Sequence, residues 1–143
     1  MTTYCTAADL EAVWAPDQIL ASVDDDESGT LSSAESAHLD RAIERAAGRM
    51  NACLELRYSL ATLSGNAWCR DANAAIAVYL LAIRRGEAAP AALQEQHDAY
   101  FAELLEIAAG RRNVPQAVIT LDSRPSVMNF NVDFTQARAV KRG

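Results

Sequence analysis

The sequence predicts a mainly α-helical protein. It is a small bundle of three longer helices with short N-terminal helices before them, followed by an extended C-terminal arm that forms a β-strand or hairpin. Three observations predict this. Apolar residues recur every three or four positions through most of residues 1–110, with start and stop signals between the runs. Half of the 143 residues are hydrophobic, and many of these are Ala, the best helix former, which fills helix interfaces without bulk. After Gly110 the period changes to two. The reading divides the chain into a helical body, 1–110, and an arm, 111–143.

Thr6-Ala7-Ala8-Asp9 is a helix start, with Thr6 as N-cap and an acid in the first turn. Leu10 and Val13-Trp14 give this short helix an apolar face. Pro16 suits the first position of a second short helix carrying Ile19 and Leu20. An acidic turn, Asp24–Gly29, follows. Ser32 and Glu35 then form a capping box. Leu39, Ile43, Ala46, Ala47, Met50 and Leu54 predict one long helix from about Ser33 to Arg57. Ser59–Asn66, with Ser64-Gly65-Asn66, reads as a loop.

The next helix is expected from about Ala67 to Arg85, on the stripe Trp68, Ala72, Ala75, Ile76, Tyr79, Leu80 and Ile83. Arg84-Arg85-Gly86 closes it, with cations at the negative end of the dipole and Gly past the end. Pro90 opens the last helix. Its expected inner face is Leu93, His97, Tyr100, Phe101, Leu104, Leu105 and Ala108, and Gly110 ends it. Beyond Val114-Pro115, Ala117–Leu121 is β-branched and strand-like. Phe130, Val132 and Phe134 alternate with polar residues. Two strands alone are marginal in water, so the arm is expected either to fold back on its own bundle or to add to another chain as a strand; the second is favoured because a helical bundle offers no sheet edge.

Charge divides at the same place. Residues 1–110 hold 17 acidic and 7 basic side chains, net −10; residues 111–143 hold 2 and 6, net +4. An acidic body does not grip phosphates, whereas a basic arm suits docking on acidic protein. Cys5, Cys53 and Cys69 are odd in number and lack CxxC spacing, which points to reduced thiols in a protein made in a cytosol. The first residues hold no basic region leading into an apolar run, so no secretory signal is expected. No stretch approaches the roughly 20 apolar residues of a membrane span.

The sharpest chemical motif is Asp24–Glu35, which fits the calcium loop of an EF-hand. Asp24, Asp26 and Ser28 take the first, third and fifth positions, Gly29 the sharp turn, Thr30 a carbonyl ligand and Glu35 the bidentate carboxylate at the end. A calcium ion is therefore the one cofactor the sequence offers a place for, and no cofactor is required. The same residues also make an ordinary capped turn, because Glu35 already answers Ser32.

His97 lies in an apolar stripe and is expected to be a core histidine bonded to a backbone group. Cys53 and Cys69 read as packing residues, and Glu103 and Glu106 as a solvated face. There is no GxSxG, GxGxxG or phosphate loop, and nothing assembles nucleophile, base and oxyanion donor, so an enzyme is not expected.

The layout resembles the phage head–tail connector proteins, also called adaptor or head-completion proteins, specifically the Mu-like prophage connector family. The residues that carry the likeness are Thr6-Ala7-Ala8-Asp9-Leu10, the Asp24–Gly29 turn, and the long helix with Ala42-Ile43 and Ala46-Ala47 ending in Leu54-Glu55-Leu56-Arg57-Tyr58-Ser59-Leu60. They continue in Ala72–Leu80 with Tyr79, in Ala99-Tyr100-Phe101 through Gly110, and loosely in Arg124-Pro125. This chain has Ala61 where many relatives carry Pro, and Ser28 where many carry Asp.

The resemblance implies a structural virion protein at the neck, on the portal vertex, assembled in the host cytoplasm. It implies a homo-oligomeric ring, typically of twelve, bound to the portal protein and to a neck (stopper) or tail-completion protein. Such a ring extends the channel through which DNA passes without sequence-specific binding, and involves no membrane. The arm residues expected to make subunit or portal contacts are Arg124, Phe130, Val132, Phe134, Arg138, Lys141 and Arg142. Two other readings compete: a calcium-binding regulatory module of EF-hand type, and a helical scaffold for cellular partners.

Overall fold

The computed structural model describes residues 2–117, which form four α-helices and two 3₁₀ segments, with one helix nearly enclosed by the others. The order is a 3₁₀ segment Ala7–Ala12, α1 Pro16–Val23, α2 Ser33–Leu54, a 3₁₀ segment Leu60–Leu63, α3 Ala67–Ala82 and α4 Ala91–Ala108. The described residues contain no strand. The arm expected to form strands lies, beyond Ala117, outside them.

Helix α3 is the axis, and α1, α2, α4 and the first 3₁₀ segment all pack on it. Every residue from Ala72 to Val78 is buried. That pattern is possible because so many of these residues are Ala, which lets neighbouring helices approach from several sides. Around its own Ile76, Leu10, Met50, Leu54 and Leu104 are likewise fully enclosed. Burial of each such side chain stabilises the fold by about 1.5–3 kcal/mol.

Local signals set the element ends. The Ser32 hydroxyl accepts from the Glu35 N–H at 3.2 Å, and Glu35 Oε1 accepts from the Ser32 N–H at 2.9 Å, completing the expected box at the start of α2. Pro16 stands in the first turn of α1. Gly110, at φ 84°, stops α4; its N–H donates to Ile107 and the Arg111 N–H to Glu106, both at 3.0 Å. Thr6 and Asp9 cap a 3₁₀ segment, not an α-helix: the Thr6 N–H and hydroxyl both donate to Asp9 Oδ2.

Helix α2 ends at Leu54, short of Arg57, because Arg57 and Tyr58 are taken up elsewhere. The Ser59–Asn66 loop contains the second 3₁₀ segment, which drives Leu63 into the core.

Two asparagines inside helices hold the N-terminal strand of chain. Asn73 is wholly buried; its Oδ1 accepts from the Tyr4 N–H at 2.8 Å and its Nδ2 donates to the Ile43 carbonyl at 3.2 Å. Asn51 accepts from the Tyr4 hydroxyl and donates to the Thr2 carbonyl at 3.0 Å.

Helix α4 sits rotated from its expected register. Leu104 and Ile107 are enclosed, whereas Leu105 is 51 % exposed. A buried face this narrow leaves the position 100° round from Leu104 in solvent.

Candidate functional site

Two regions collect the residues that could do something beyond packing: the acidic loop between α1 and α2, and the end of the bundle where the arm begins.

In the acidic loop, oxygens of Asp24, Asp26 and Glu35 lie within 4.8 Å of one another. Oxygens bound to one calcium at 2.3–2.6 Å stand no further apart than about 5 Å, so this spacing fits the ion. Backbone amides already satisfy the same carboxylates. Asp24 accepts from Ser28 and Gly29 N–H at 3.0 and 2.9 Å, and Asp26 from the Ser28 N–H at 3.1 Å. Glu35, only 4 % exposed, accepts through Oε1 from Ser32 and through Oε2 from the Asp25 N–H at 2.8 Å. Those bonds, the Ser32 amide first, hold its carboxyl below the usual carboxylate range.

The other two expected ligands, Ser28 and Thr30, are turned to each other: the Ser28 hydroxyl donates to the Thr30 carbonyl at 3.0 Å. The loop therefore closes on its own hydrogen bonds. It also keeps three carboxylates converged between a short entering helix and a long leaving one.

Asp25, which has no place in the ligand pattern, is the loop's anchor. Its carboxylate accepts from Arg84 at 2.5 Å and Arg85 at 2.8 Å, with His38 Nε2 at 3.4 Å. The Arg84 and Arg85 guanidinium groups hold its carboxyl down at about 2. The same two arginines donate to the last carbonyls of α1: Arg84 to Ser22 at 3.0 and 3.2 Å, and Arg85 to Ala21 at 2.9 Å. They were expected to close their own helix, but α3 ends at Ala82, before them, and they cap α1 instead. Sequence spacing holds no sign of this partner, which lies about sixty residues away.

At the far end of the bundle, Arg57, Tyr58 and Asn66 fasten the chain that follows α4. Arg57 donates to the carbonyls of Ile107 and Arg112 at 3.3 and 2.8 Å and to Asn113 Oδ1 at 3.0 Å. The Val114 N–H donates to the Tyr58 hydroxyl at 2.9 Å, and Val114 is buried. Asn66 caps α3 through Oδ1 and donates through Nδ2 to the Pro115 carbonyl at 2.8 Å. The chain beyond Gly110 thus stays on the bundle as far as Ala117. The arm residues expected to make contacts, Arg124, Phe130, Val132, Phe134, Arg138, Lys141 and Arg142, lie outside the described residues.

Two expectations are corrected along α4, and one is kept. His97 is not tied to a backbone group. Its ring stacks on Tyr79 at 4.0 Å, its Nδ1 meets Asp98 at 2.9 Å, and its Nε2 is buried without a partner. Glu103 is not simply solvated; it accepts from the Trp68 indole N–H at 2.8 Å. Glu106 pairs with Arg111 at 2.8 Å.

The bacteriophage Mu Gp36 family matches residues 4–128 of this sequence. The chain belongs to that family. The match takes in every described element, passes Arg124 and stops just short of Phe130. The Mu-like phage family read from the order of helices and turns is the one the match shows. Membership in the Gp36 family makes the chain a phage structural or morphogenesis protein. No curated protein matches it. No helix among the described residues is long and apolar enough to cross a membrane.

Proposed function

We propose that the chain is a non-enzymatic head–tail connector subunit: a homo-oligomeric ring, of the twelve copies the resemblance implies, between the portal and the neck or tail. The observation that carries this reading is the fastening of residues 112–115 by Arg57, Tyr58 and Asn66. It fixes the point on the body from which the basic arm begins, the same in each copy. A fixed exit with an alternating apolar segment beyond it suits a clasp on a neighbour or on the portal.

Two further features support it. The outer side of α4 exposes Ala99, Ala102, Leu105 and Ala109, a surface low enough for close lateral packing. The body's net charge of −10 suits a channel wall past which DNA slides without sticking. The partners would be the portal protein and a neck or tail-completion protein, and the place the neck of the virion. Electron microscopy and mass measurement of the purified chain with its portal test the proposal. A ring seated on the portal is the expected result; a chain that stays monomeric beside the portal overturns it.

A second reading, calcium binding at Asp24, Asp26 and Glu35, draws on the convergence of their carboxylates. In a connector the ion would stiffen the turn between α1 and α2.

A further inference from the structure

We propose that Phe130, Val132 and Phe134 of one copy seat in an apolar groove at the opposite end of the next copy. The groove is walled by Ala7, Ala8, Ile19, Leu20, Leu31 and Leu39, and the arm's terminal cations meet its acidic rim. The inference rests on the ring proposed above and says how neighbouring copies would be joined.

The groove has a volume of about 550 Å³ and opens between the first 3₁₀ segment, α1, the acidic loop and α2. Its wall includes Leu31, which is 47 % exposed in the isolated chain. A large apolar side chain held outward beside an apolar channel is a surface that gains from being covered.

The charge around the groove favours this occupant. Glu11 lines it, Asp17 follows the lining residue Pro16 in the chain, and Asp26 and Glu27 belong to the loop whose Gly29 and Thr30 line it. All four are exposed, and among the described residues none has a cation within ion-pair distance. Asp25 of the same loop, by contrast, is fully engaged by Arg84 and Arg85. The groove therefore has uncompensated acid at its edge and apolar walls inside. Residues 130–134 of the arm supply alternating apolar side chains, and Arg138, Lys141 and Arg142 follow them. In an extended segment Phe130, Val132 and Phe134 share one face, which matches a channel open along one side.

Between two copies this contact runs head-to-tail. The arm's root is held at Tyr58, past the C-terminal end of α2, while Leu39 places the groove near that helix's N-terminus. From Leu39 to Leu54 alone the helix advances about 22 Å. An arm leaving one end and a receptor groove at the other make a heterologous contact, which closes into a ring when the rotation between copies closes. The residues between Ala117 and Phe130 can span about 40 Å when extended, more than the advance of α2 from Leu39 to Leu54.

The test uses the full chain carrying Leu31→Cys and Val132→Cys, oxidised under native conditions, with the chain lacking both substitutions as control. Native mass spectrometry of each reports assembly independently of the cross-link. A ladder of covalent oligomers joined through positions 31 and 132 is the expected result. Assembly without that link overturns the groove contact and leaves the ring standing. A link formed only within single chains overturns it in favour of self-docking. A chain that never assembles overturns both. In a parallel measurement Leu31→Asp, at an exposed position, is expected to weaken assembly at least tenfold with an unchanged thermal melt. Undiminished assembly contradicts the proposal.

Discussion

The phenolic oxygen of Tyr58 accepts the backbone N–H of Val114 at 2.9 Å, with both residues buried. This bond joins the turn after α2 to the chain that leads into the arm, fifty-six residues later. Together with the Arg57 bonds to Arg112 and Asn113, it makes the exit of the arm part of the folded body.

Tyr58→Phe removes the acceptor and leaves a buried amide unpaired. Such a loss destabilises by about 1–3 kcal/mol. Urea unfolding is expected to show it, and hydrogen exchange at the Val114 amide is expected to accelerate in the native state. Exchange unchanged from the parent protein would mean the bond does not hold the arm's root.

Stability should fall in acid through Asp25. Its folded value of about 2 lies below its ordinary 3.8, because Arg84 and then Arg85 favour the charged form. The contribution is fully present above pH 3.8 and is lost as pH falls through about 2. Glu35 and Asp98, both lowered, act in the same direction, Asp98 through its bond from His97 and then from Gln94. Melting temperature plotted against pH should therefore drop over this window, and Asp25→Asn should shallow the drop. A variant with the parent's acid slope would contradict the assignment.

The thiols should separate by reactivity. Burial pushes Cys5 and Cys69 each up to about 12, and raises Cys53 as well. Cys53 alone is not fully buried. At mildly alkaline pH a thiol reagent is expected to modify Cys53 first, with Cys5 and Cys69 reacting only as fast as the chain opens. Rapid modification of all three in the native protein would show a looser core than the one described.

The calcium reading predicts heat on titrating calcium into the purified chain, abolished in Glu35→Gln, and a melting temperature that rises with calcium in the parent alone. No heat and no shift would leave the loop as a turn closed by its own amides.

What the sequence made legible was local. Pro16, the Ser32–Glu35 box, and the glycines after α3 and α4 mark element ends through bonds made within a few residues. Helix order followed from them. The carboxylates of Asp24, Asp26 and Glu35 were also found, because one loop carries all three. The rest depends on partners far along the chain. Nothing near Asn73 signals that it receives the Tyr4 amide. Nothing near Trp68 names Glu103 as its acceptor. Asp25 looked like one more acid in a run, and only the placing of α3 against α1 makes it the anchor. Leu105 and Ile107 both stand at helical spacing from other apolar positions, i+4 from Phe101 and i+3 from Leu104, so periodicity alone does not choose between them.

The most direct test of the central claim is the mass of the purified full chain under native conditions, with and without its portal. A closed oligomer of fixed copy number, reduced to monomers when the chain is cut after Ala117, is the predicted result. A monomer in both conditions, with or without residues 118–143, would contradict the account.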